Sequence, residues 1–81
     1  MKMSDEIKLL DVVALLEDVP DEGLSRGEVG TVVEVFADKP DVAGALLVEF
    51  SDRNGEAYAF ASLRPHQLVK LRYRDAALDA A

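Results

Sequence analysis

The sequence predicts an all-β fold, a small five-stranded barrel. Two observations lead there. Short apolar runs recur at steady intervals, each ended by Gly, Pro, Asn or Asp, the pattern of strands joined by tight loops. The chain has 81 residues and no cysteine, so one domain must hold together by one core rather than by disulfides. At 49% hydrophobic and 31% charged residues, the composition suffices for that core. Curling so small a sheet into a barrel leaves it fewer edges to protect.

Each element follows in turn. The first run is Lys8–Leu16, with Leu10, Val12, Ala14 and Leu16 on one face. The other face carries Asp11 between Leu9 and Val13. Apolar residues are dense enough here to suit a helix as well, but Pro20 and Gly23 would keep a helix short. Residues 17–27 form a long loop with Pro20, two glycines and four acids. Residues 28–36 are rich in Val, Thr and Phe and form the second strand. Gly30 inside it signals a bulge or a close backbone approach. Asp38-Lys39-Pro40-Asp41 breaks the chain, and residues 45–50 resume the sheet. Asn54-Gly55 marks a hairpin, because this pair readily supplies positive φ. Residues 56–61 alternate, with Tyr58 and Phe60 on one face. Residues 62–67 hold a proline and fit a single 3₁₀ turn, with Leu63 as a plug under the barrel. Residues 68–73 close the pattern. The division is an N-terminal extension 1–6, a barrel 7–73 and an Ala-rich tail 74–81. Five strands, a long first loop and a 3₁₀ turn before the last strand describe an SH3-like barrel.

Charge sorts the partners. Sixteen acids against nine bases give a net charge of −7. Such a surface repels free nucleic acid and anionic membranes, whose affinity comes from Lys and Arg. It suits solubility and a basic protein partner. No stretch reaches the eighteen or so apolar residues of a spanning helix, and the charged start is unlike a signal peptide, so the expected location is the cytoplasm.

At Gly27-x-x-Gly30-Thr31-Val32-Val33-Glu34-Val35 the chain resembles small barrels with a G-x-x-G-T-V strand. With Asp11–Leu15, Val48-Glu49-Phe50, Gly55 and Leu68, it resembles a bacterial family, the domain of unknown function 4926, over residues 7 to 72. The resemblance implies the barrel fold, a bacterial cytoplasmic origin and a small stand-alone protein whose companion does the chemistry. A toxin-like protein to be neutralised is one such companion. The resemblance implies no catalytic residue. The insert Ala37–Gly44 departs from the family pattern by its length.

Candidate chemistry is sparse. His66 is the sole histidine, and no spacing places a serine beside it for a hydrolytic triad, so it reads as a turn residue. Glu17, Asp18, Asp21 and Glu22 crowd four carboxylates into six residues, but calcium-loop spacing is missing. They read as a solvated or partner-binding acidic patch. Arg64, Lys70, Arg72 and Arg74 are the one basic cluster, pairing with excess acid or contacting a partner. Gly23, Gly27 and Gly30 lack the spacing of a phosphate-binding loop. The five aromatics, Phe36, Phe50, Tyr58, Phe60 and Tyr73, are expected mostly in the core, which argues against an aromatic groove for Pro-rich peptides. The expectation is therefore a non-catalytic protein-binding or accessory module without a cofactor or metal. Its partner-binding candidates are Glu17, Asp18, Asp21, Glu22, Arg64, Lys70 and Arg72. Two alternatives stay open at this point: a detached barrel subunit of an enzyme complex, analogous in fold to the nitrile hydratase β-subunit barrel, and a weak nucleic-acid-binding barrel.

Overall fold

Five strands form in the order that the apolar runs set out. The computed structural model describes residues 6–36 and 44–72. Strand β1 spans Val12–Leu15, β2 Val29–Val35, β3 Leu46–Ser51, β4 Ala57–Leu63 and β5 Leu68–Lys70. They build one antiparallel sheet in the order β4-β3-β2-β1-β5, the order of an SH3-like barrel. The last strand returns to the first, with Leu15 opposite Leu68 and Val13 opposite Lys70.

Alternation explains the curl. Val13, Leu15, Val32, Leu46, Val48, Phe50, Ala61, Leu63 and Leu68 all point to one buried face, so every strand feeds the same core. Among the described residues no helix covers that face, so the sheet must cover it by bending on itself. Each fully buried Val, Leu or Phe is worth roughly 1.5–3 kcal/mol. Leu63 is the expected plug at 3% exposure, just ahead of the 3₁₀ turn Pro65–Gln67.

Gly30 is a site of close approach. A Cβ there would lie 2.6 Å from Val48 Cγ1 and 2.7 Å from the Glu49 carbonyl oxygen. The bulge falls further along, between Val32 and Glu34, and sets Val33 apart. The Asn54-Gly55 hairpin forms, with Gly55 at φ 85°. Asp52 Oδ1 accepts the backbone N–H groups of Asn54 and Glu56, at 2.8 and 3.1 Å.

The structure corrects several expectations. β1 begins at Val12, not Lys8, and its inward residues are Val13 and Leu15 rather than the even positions. A turn causes this: the Lys8 N–H donates to Asp11 Oδ2 at 2.7 Å, and the Asp11 N–H to the Lys8 carbonyl at 3.0 Å. Leu10 takes a left-handed φ of 73° there and stands 70% exposed. The loop after β1 is not wholly solvated either. Val19 and Leu24 exchange two backbone hydrogen bonds around a second 3₁₀ turn, Pro20–Glu22, and Leu24 enters the core. The aromatics are mostly outside: Phe36, Tyr58 and Phe60 are 42%, 52% and 55% exposed, and Phe50 alone of the four described is buried. Parity decides it, because β4 turns Ala59 and Ala61 inward opposite Phe50 and Val48, and the small alanines leave room for Phe50. β5 stops at Lys70. Tyr73, Arg74, the tail and residues 37–43 of the insert lie outside the described residues.

Candidate functional site

The acidic loop is built by its own backbone. Its base is tied down where the Gly27 N–H donates to the Leu15 carbonyl at 2.8 Å. Beside that base the Ser25 N–H donates to Glu28 Oε2 at 2.7 Å. The Arg26 N–H donates to Asp18 Oδ1 at 2.8 Å, so Asp18 fixes the loop across its width. Glu17, Asp18, Asp21 and Glu22 are all exposed, and Asp21 and Glu22 sit on the Pro20–Glu22 turn.

The loop leans on the turn before β5. The Leu16 N–H donates to the Gln67 carbonyl at 2.8 Å, and Gln67 Nε2 donates to Glu17 Oε2 at 3.2 Å. Gln67 also fixes its own turn, since its Oε1 accepts the Arg64 N–H at 2.8 Å. The start of the acidic loop and the Arg64–Gln67 turn, with exposed His66 on it, are thus neighbours.

Pro65 of that turn lines an open groove of about 590 Å³. Ile7, Val35, Phe36, Leu68 and Val69 supply the apolar part of its lining, Glu6 and Lys70 add charge, and the lining as a whole is of mixed polarity. A volume of this size is typical of ligand-binding clefts. Lys70 is engaged beside it: its Nζ lies 3.4 Å from Asp11 Oδ2 and donates to the Glu6 carbonyl at 3.5 Å. The Lys8 N–H, aided by Lys70, holds the Asp11 carboxyl below its ordinary range against a smaller opposing effect of burial.

The described basic residues of the predicted cluster sit on different parts of the chain. Arg64 precedes the 3₁₀ turn as its N-cap, Lys70 on β5 pairs with Asp11 just before β1, and Arg72 lies beyond β5. Reasoning from sequence singled out the loop acids but missed Gln67, which joins them to the turn, and the groove residues Val35, Phe36 and Val69. A second polar contact was also missed. The Tyr58 hydroxyl donates to Glu28 Oε1 at 2.5 Å, across thirty residues of sequence. That bond pushes the Tyr58 phenol up to about 12 and draws the Glu28 carboxyl below its ordinary value.

Among the described residues no cluster of three or more His, Cys, Asp or Glu is placed to hold a metal ion. No helix among them is long and apolar enough to cross a membrane. A family described as "Domain of unknown function (DUF4926)" matches residues 9–70, about three quarters of the chain. No curated protein and no solved structure matches.

Proposed function

We propose that this chain, which belongs to the DUF4926 family, is a non-catalytic module that binds a basic, partly apolar segment of a partner protein. One observation carries this reading: a single short turn, Pro65–Gln67, lines the groove through Pro65 and holds Glu17 of the acidic loop through Gln67. Apolar side chains of the segment enter the groove beside Val35, Phe36 and Val69. Its Lys or Arg residues face Glu17, Asp18, Asp21 and Glu22. The net charge of −7 speeds the approach of such a partner and repels an acidic one. In this reading the partner carries any chemistry, and this chain works beside it in the cytoplasm.

The test reverses the loop charge. A tagged chain with Glu17, Asp18, Asp21 and Glu22 changed to Lys is compared with the wild type for proteins retained at moderate salt. A milder variant, Asp21→Lys with Glu22→Lys, spares Glu17 and Asp18, whose side chains help to hold the loop. The expected result is one stoichiometric companion on the wild type, lost by both variants while both keep cooperative thermal unfolding. A companion retained equally by folded, charge-reversed chains overturns the loop assignment.

A further inference from the structure

Among the described residues the sheet has two edges, and they are unlike. β5 is three residues long and holds Lys70, with a proline turn leading into it. Short length and a lysine are common protections against pairing with another chain. β4 is seven residues long, Ala57–Leu63, and has neither a charge nor a proline. Among the described residues its sheet neighbour is β3 alone. Near its start Ser51 faces Ala57 while Phe50 faces Ala59, so Tyr58 is set apart as a bulge and Ala59–Leu63 runs on regularly. Phe60, 55% exposed, and Ser62, also exposed, point outward from this stretch. A row of backbone donors and acceptors beside an exposed aromatic suits another β-strand.

We infer that β4 pairs antiparallel with β4 of a second copy of this chain, about a two-fold axis at Ala61, so that the two sheets become continuous. A two-fold centred on a strand residue keeps each side chain on its own face. Phe60 lies opposite Ser62 of the second copy, Ala59 opposite Leu63, and Ala61 opposite itself. Outward residues meet outward ones and core residues meet core ones. The two Phe60 rings stand on the diagonal, about 7–8 Å apart at the backbone and within aromatic reach.

Charge is the obstacle, and its placement decides the matter. Two chains of −7 repel one another. Yet β4 brings no charge to the axis, and the acid in the nearest row is Glu49, on β3 beside Phe60. The two Glu49 residues would be at least three strand spacings apart, about 14 Å. That exceeds the Debye length of about 8 Å at physiological ionic strength. Self-association therefore strengthens as salt rises, whereas capture of a basic segment by the acidic loop weakens. The two sites are thereby told apart.

Sedimentation equilibrium of the full chain, from micromolar to near-millimolar concentration, tests the pairing. The wild type should approach twice its monomer mass, at lower concentration in physiological salt than in low salt. Ser62→Lys, which brings two like charges near the axis, should weaken association by roughly tenfold or more while thermal unfolding of the dilute protein is unchanged. Hydrogen exchange of the wild type gives a readout free of substitution: the amides of residues 60 and 62 should slow as concentration rises. A wild type that stays monomeric throughout overturns the inference. So does a Ser62→Lys chain that dimerises equally well, or a dimer whose concentration-dependent protection lies outside β4.

Discussion

Gly30 shows how one residue can fix the spacing of a sheet. Its missing side chain lets β2 lie against Val48 and the Glu49 carbonyl, where a methyl group would sit at 2.6–2.7 Å. Backbone cannot yield as a side-chain tip can, so Gly30→Ala should destabilise the domain by about 1–3 kcal/mol. In a domain of this size each kcal/mol lowers the melting temperature by about 4–8 °C, which calorimetry would read. An unchanged melting temperature would contradict the close approach. The Tyr58–Glu28 pair is the second residue-scale case. Its hydrogen bond needs a protonated phenol, and the folded phenol, at about 12, lies above its ordinary value of 10.0. The bond's contribution to stability is thus complete below pH 10 and is lost as the pH rises towards 12. Glu28 has the opposite sign: its contribution is complete above the ordinary carboxyl value of 4.5 and is lost as the pH falls through the lowered one. Glu28→Gln should return the Tyr58 titration, followed by NMR of the ring, towards 10. A titration still near 12 would place the cause elsewhere.

At the scale of elements, β3 and β4 show what parity does. Phe50 and Phe60 sit in similar apolar alternations, yet one is 0% and the other 55% exposed. Phe50→Ala should cost about 3–5 kcal/mol, a large share of the stability of a small domain. Phe60→Ala, measured in dilute solution, should change stability by no more than about 0.5 kcal/mol. Denaturant unfolding of the two variants checks the pair, and equal losses would mean that β4 is wrongly phased. The sequence made strand number and turn chemistry legible, because Gly55 and Pro65 act locally. The faces of β1 and β4 were not legible. Leu9–Leu16 is apolar at nearly every position, and the turn that phases β1 depends on Asp11 accepting from the Lys8 backbone. Leu24 was hidden for a similar reason, since its burial follows from the Val19–Leu24 backbone pair rather than from any periodicity.

For the whole molecule, the succession of strands and turns was readable and the candidate site only half so. The four loop acids are contiguous in sequence, so composition found them. The groove draws on residues 7, 35–36, 65 and 68–69, which meet only after β5 has returned to β1 and the chain start has packed beside it. In the proposed function this groove and the acidic loop together recognise a basic, partly apolar segment. The most direct test of that reading is selection of random peptides on the immobilised chain, with Val69→Arg and Asp21→Lys/Glu22→Lys variants in parallel. Val69 is 41% exposed in the groove wall, so a charge there should fill the groove without entering the core. Peptides combining apolar residues with Lys or Arg should be enriched on the wild type, and each variant should retain them poorly. Enrichment of acidic peptides, no enrichment, or retention by either variant equal to that of the wild type would contradict this reading.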